Sequence, residues 1–166
     1  MFMPHPRLAI FVDGANMDIG SRAAGIKIDY QKFRAFLGGT RPIVSANYYN
    51  SKSRNPAEMA FYHRVEEAGF TLVLGPRKIP GQRQKEIDVQ IAVNMVSGAF
   101  TDLFDNALLV TGDGDLAPAV RKLLALQRQV EVASFDDPSR KEFSWSLKSI
   151  ASRTIDLTLN IQKFKL

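Results

Sequence analysis

The chain has 166 residues, 45% hydrophobic and 23% charged, which fits one globular domain with a core of its own. It holds no run of about 18 apolar residues, so no membrane span is expected. It also has no cysteine, which excludes disulfides, thiolate metal sites and cysteine nucleophiles and agrees with a cytoplasmic setting. A formal charge of +5 and a pI near 9.6 favour polyanionic partners.

Residues 1–6 carry neither an apolar stretch nor a small-residue cleavage site and do not read as a signal peptide. Residues 8–12 are a short apolar run closed by Asp13-Gly14, the pattern of a fully buried strand. A helix is expected from about Asp29, with Tyr30, Phe33, Phe36 and Leu37 on one face and Gly38-Gly39 as its stop. Residues 42–49 read as a second strand. Asn55-Pro56 then reads as an N-cap with proline at the first helical position, opening a helix through Glu67 that stops at Gly69. A third strand covers 70–74. Residues 75–84, with two prolines and two glycines, read as an irregular loop. A helix over 85–99, a strand over 107–110, a helix over 116–126 and a strand over 130–135 follow. After Asp137-Pro138 a helical stretch is expected over 139–151, leading into a tail of undefined structure.

Strands alternating with helices require parallel pairing, with helices on both faces. The expectation is therefore a single α/β domain over residues 1–166: a three-layer, Rossmann-like sandwich on a mostly parallel sheet of about five strands. In a parallel sheet every strand ends on one edge and every following helix starts there. Asp13 closes the first strand, Asp88 lies in the first turn of the helix after the third, and Asp113 and Asp115 directly follow the fourth. An assumed order of 3-2-1-4-5 sets Asp13 beside Asp113. Each aspartate has an ordinary structural explanation: a turn at Asp13-Gly14, an N-cap at Asp115, a helix-dipole partner at Asp88. Gathered in one crevice, however, four carboxylates repel one another unless a cation neutralises them, and hard oxygen ligands suit Mg²⁺ or Mn²⁺. The expected metal ligands are Asp13, Asp88, Asp113 and Asp115. The topology puts Lys52, Arg54, Arg77, Lys78, Arg83 and Lys85 on the same edge, either as solvated loop residues or as a cationic rim for the phosphates of a polyanion.

Three motifs carry a resemblance. Phe11-Val12-Asp13-Gly14-Ala15-Asn16, Lys85-Glu86-Ile87-Asp88-Val89 and Thr111-Gly112-Asp113-Gly114-Asp115-Leu116, with the tail from Ser146-Leu147-Lys148 through Ile155-Asp156-Leu157, resemble the NYN (LabA-like) branch of PIN-type ribonucleases. The resemblance implies a PIN-like fold and a Mg²⁺- or Mn²⁺-dependent ribonuclease centre. Asp13, Asp88, Asp113 and Asp115 would form it, supported by Asn16. The expected partner is RNA, with no membrane and with a homo-oligomer left open. Two positions depart from the family's pattern: Asn94 and Ser152 stand where relatives often carry acids. Asn94 keeps open an alternative, a non-catalytic RNA-binding or regulatory module that retains the acidic pocket.

Other readings are weaker. Residues 112–117 match a dinucleotide-binding GxGxxA pattern, but two carboxylates in that loop would oppose a pyrophosphate. Val12-Asp13-Gly14-Ala15 lacks the second aspartate of an aspartyl phosphatase. His5 and His63 fall outside the motifs. Tyr48 and Tyr49 are candidates for base stacking, with core packing the commoner fate of such aromatics.

Overall fold

The computed structural model describes residues 4–81 and 85–166. Its elements run β1 (Leu8–Asp13), α1 (Gly14–Ala23), α2 (Tyr30–Gly38), β2 (Ile43–Ser51), α3 (Pro56–Glu67), β3 (Thr71–Gly75), α4 (Lys85–Phe100), β4 (Asn106–Val110), a 3₁₀ turn (Gly114–Leu116), α5 (Ala117–Ala125), β5 (Gln129–Ser134), α6 (Trp145–Lys148), β6 (Arg153–Asp156) and a 3₁₀ segment (Thr158–Lys163). All strand pairs are parallel, in the order β3-β2-β1-β4-β5-β6.

The expected order holds, with one strand more than the five expected. The sixth is the edge strand Arg153–Asp156, beside β5 in register from Glu131–Arg153 to Ser134–Asp156. The helical stretch expected over 139–151 shrinks to α6. A helix not expected from the sequence, α1, starts directly at the end of β1.

Why β1 is central is written in its side chains: all six residues are buried. Leu8, Ile10 and Val12 join Met17 of α1, Phe33 and Leu37 of α2 and Tyr62 and Val65 of α3 on one face. Ala9 and Phe11 join Ile87, Ile91 and Met95 of α4 and Val120 and Leu123 of α5 on the other. The period-2 alternation thus feeds two cores, and the three layers follow. The predicted cap at Asn55 forms, its side chain accepting from the Ala57 N–H at 2.9 Å ahead of Pro56. Among the described residues, no helix is long and apolar enough to cross a membrane.

Candidate metal centre

The carboxyl ends of β1 and β4 are neighbours: their last paired residues are Val12 and Val110. One residue further on, Asp13 closes β1 and caps α1, its Oδ1 accepting from the Asn16 N–H at 3.1 Å. Its Oδ2 accepts from the Thr111 hydroxyl at 2.9 Å. The Thr111 oxygen in turn accepts from the Asp113 N–H at 3.2 Å, and the Asn16 side-chain oxygen accepts from the Gly112 N–H at 3.2 Å. The loop after β4 is therefore stitched to the end of β1 by side chains of both. Asp113 caps the 3₁₀ turn, its Oδ1 accepting from the Asp115 N–H at 2.9 Å.

This geometry corrects the capping role expected for Asp115. Asp113 supplies the cap, α5 starts after Leu116 without a side-chain cap, and Asp115 stands exposed. Among the described residues the carboxylates of Asp88 and Asp115 accept no hydrogen bond. Asp88 sits half-buried in the first turn of α4. Asp88, Asp113 and Asp115 each bring a carboxylate oxygen within 4.8 Å of the other two. Asp13 lies deeper, 6% exposed, and engages both oxygens with Asn16 and Thr111. The four line one cleft of about 350 Å³ with Asn16, Asn50 and Lys85.

The charges are felt. Asp88 is pushed up to about 6, first by desolvation and then by Asp13, Asp113 and Asp115. Burial also raises Asp13, against the hydrogen bonds from Asn16 and Thr111 that favour its charged form. A site that holds its acids charged only at such expense fits a cation. Three converging carboxylate oxygens, two of which accept no hydrogen bond among the described residues, are a donor set that could hold a hard divalent cation.

Of the expected basic rim, Lys85 lines the acidic cleft itself. Lys52, Arg54, Arg77 and Lys78 line an adjoining trench of about 670 Å³ that shares Ala15, Ile19 and Asn50 with the cleft. Arg83 lies outside the described residues. Thr111 and Asn50 escaped the sequence reading. Thr111 was within reach of it, as the buried residue at the head of the Thr-Gly-Asp motif, whereas nothing local marks Asn50.

Other readings fall away. Tyr48 and Tyr49 are each 1% exposed and pack in the two cores, so neither offers a face to a base. His63 pairs with Glu67 on the exposed side of α3, 3.4 Å away, and His5 is exposed. A dinucleotide does not fit the glycines of residues 112–117. A Cβ on Gly112 would meet the Glu142 carbonyl oxygen at 1.8 Å, and one on Gly114 the hydroxyls of Ser144 and Ser146, so their bareness serves the chain's own packing. Asn94 turns from the cleft: its amide donates to the Tyr49 hydroxyl at 3.0 Å and accepts from Gln90 at 2.9 Å. The Ser152 hydroxyl accepts from the Val130 N–H at 3.0 Å, joining β5 to the approach of β6.

Comparison with known proteins bears on the family and the fold. The family model for the NYN domain matches residues 7–158. The chain is 27% identical over 162 residues to the low amplitude and bright protein LabA of Synechococcus elongatus, covering 91% of this chain and 83% of that one. It also superposes on a crystal structure of a protein of unknown function from Vibrio parahaemolyticus. That match has a TM-score of 0.84 and 25% identity, and covers all of both chains.

Proposed function

Since the chain belongs to the NYN domain family, of the PIN-like nuclease superfamily, we propose that it is a divalent-metal-dependent endoribonuclease that hydrolyses RNA phosphodiester bonds, acting in the cytoplasm. The observation that carries this reading is the convergence of the Asp88, Asp113 and Asp115 carboxylates within 4.8 Å, in a cleft that opens into a basic trench. Asp88, Asp113 and Asp115 would hold a divalent cation there, Mg²⁺ or Mn²⁺, with Asp13 behind them adding charge. When bound, such an ion would supply positive charge beside the scissile phosphate and lower the pKa of a water. Asn16 and Thr111 fix the loop that carries Asp113, so the donors are in place before the substrate arrives. Lys85, in the same cleft as Asp88, steadies the scissile phosphate. Lys52, Arg54, Arg77 and Lys78 hold phosphates further along the strand.

The competing reading, a non-catalytic RNA-binding or regulatory module, draws on Asn94. With its amide engaged by Tyr49 and Gln90, Asn94 contributes no donor to the cleft in either case. Cleavage of labelled RNA by wild type and Asp113→Asn, with and without Mn²⁺, separates the two. The expected result is Mn²⁺-dependent cleavage by wild type alone. RNA binding without cleavage across varied RNAs in Mg²⁺ or Mn²⁺ selects the module.

A further inference from the structure

The chain has one tryptophan, and it is not in the core. Trp145 opens α6 and is 77% exposed, while Phe143 and Leu147 on either side turn inward, at 6% and 0%. An indole left in water forgoes the burial that makes tryptophan valuable inside a protein. What it keeps is a large flat π-face and a rigid side chain.

Its position gives that face a use. The Ser144 N–H donates to the Gly112 carbonyl at 3.0 Å, and Trp145 and Asp113 are each the next residue along. The segment before Trp145 is pressed onto the acidic loop so closely that neither Gly112 nor Gly114 has room for a Cβ. The Ser144 hydroxyl accepts from the Ser146 N–H at 3.3 Å and fixes the turn. The Cα atoms of Trp145 and Asp113, each about 3.8 Å from that hydrogen-bonded pair, lie within about 14 Å of one another. Sheet order then sets the direction. The basic trench follows β2 and β3, the acids follow β1 and β4, and α6 leads from β5 to β6. Trp145 therefore flanks the acidic centre on the side away from the trench.

We propose that Trp145 is a stacking platform for an unpaired RNA base beside the scissile phosphate. This rests on the ribonuclease reading above and adds a base-binding residue to it. A strand laid across the carboxyl edge has its phosphates in the Lys52–Arg77 trench, its scissile phosphate at the aspartates and its next accessible base on the indole. A base inside a duplex is stacked and paired on both faces and cannot reach an indole at the edge without being flipped out. Aromatic stacking is tolerant of base identity because every base has a π-face, so selection acts on strandedness rather than sequence.

Because Trp145 is the sole tryptophan, its fluorescence reports the site without ambiguity. The intact chain is titrated with a single-stranded oligoribonucleotide and with a hairpin duplex of matching length, in Ca²⁺ so that bound RNA is not cut. Single-stranded RNA is expected to quench the emission and the duplex to leave it nearly unchanged. Binding followed by anisotropy of labelled RNA should weaken about 5- to 100-fold in Trp145→Ala for the single strand and little for the duplex, with Trp145→Phe retaining most of the affinity. Cleavage by wild type combined with unquenched emission and an unaffected Trp145→Ala overturns the platform and leaves the nuclease reading standing. Absence of RNA binding by wild type overturns both. A concentration-dependent blue shift without RNA overturns the platform and assigns the indole to a contact between copies of the chain.

Discussion

Removing the charge at Asp88 tests the metal centre by its sign. In the metal-free protein this carboxyl titrates near 6 against an ordinary 3.8. The native state therefore binds its proton more tightly than the unfolded chain does. Below about pH 4 the stability is intact; it falls as the pH rises toward 6, and above 6 the whole penalty is present. The ceiling is about 2 pH units at 1.36 kcal/mol each, roughly 3 kcal/mol, and solvent screening at a half-buried carboxyl leaves on the order of 1–2 kcal/mol. Asp88→Asn removes this penalty. It also gives up the attraction between an acid and the N-terminal turn of α4, worth about 0.3–1 kcal/mol. The balance is a metal-free protein stabilised by up to about 1.7 kcal/mol at pH 7.5, centred near 1 kcal/mol, or roughly 2–4 °C in Tm for a chain of this size.

Metal reverses the order. Mn²⁺ at about 100 times its dissociation constant stabilises wild type by about 2.7 kcal/mol, whereas the variant, missing one of three converging donors, gains much less. Thermal denaturation in EDTA and in Mn²⁺ is therefore expected to give curves that change places: Asp88→Asn melts higher without metal and lower with it. Repeating the EDTA scan below pH 4 should abolish the variant's advantage. A variant that is the less stable of the two in EDTA at pH 7.5, or that keeps the full Mn²⁺ shift, refutes the reasoning.

Hydrolysis by water needs no ribose 2′-hydroxyl, so mass spectrometry of the products should find 5′-phosphate and 3′-hydroxyl ends; a 2′,3′-cyclic phosphate would mean attack by the RNA itself and refute the chemistry. If Arg77 and Lys78 neutralise phosphates in the trench, the slope of log affinity against log salt should fall in magnitude by roughly 1–2 when both become Ala, and an unchanged slope assigns them to a solvated loop. Gly112→Ala should destabilise the fold by about 1–3 kcal/mol or more in urea titration, since its Cβ would meet the Glu142 carbonyl oxygen at 1.8 Å; wild-type stability would show that the 142–146 segment does not press on the acidic loop.

The sheet order and the convergence of the acids were legible because they need only two facts. Apolar runs alternate with helical patterns, and all strand ends of a parallel sheet share an edge. What escaped did so for local reasons. Helix α1 has no apolar stripe: its buried residues are Gly14, Met17 and Gly20. The glycines are there because the helix lies so close that a Cβ would strike the Tyr48 ring at one and the Phe135 ring at the other. A contact made of bare backbone leaves no hydrophobic period to read. The reverse happened over 139–151. Phe143 and Leu147 are spaced like a helix face and both are buried, but the Ser144 N–H is bonded to the Gly112 carbonyl instead of to a helical carbonyl four residues earlier. β6 is four residues at the sheet's edge with Ile155 its one large apolar side chain, too little signal to separate it from a loop.

The hydrogen bonds of the aspartates make their ordinary structural role compatible with the proposed catalytic one. Asp13 and Asp113 are caps, as local sequence chemistry favours for an aspartate before a helical turn. Each cap, however, fixes the backbone of the segment that carries another member of the site: Asp13 holds Asn16 and, through Thr111, the loop of Asp113, and Asp113 holds Asp115. Asp88 and Asp115, by contrast, accept no hydrogen bond among the described residues, so beyond the pull of the first turn of α4 on Asp88 their charge is not tied to the backbone. Capping thus occupies one oxygen of Asp113 and, together with Thr111, both oxygens of Asp13, and the rigidity comes from the same residues that supply the negative charge. Thr111→Val separates the two roles, since it removes the hydroxyl linking Asp13 to Asp113 while leaving every carboxylate in place. Its expected signature is Mn²⁺ affinity lowered several-fold with the net charge of the site unchanged, read by calorimetric titration. An unaltered affinity would show that the caps hold the fold without holding the site.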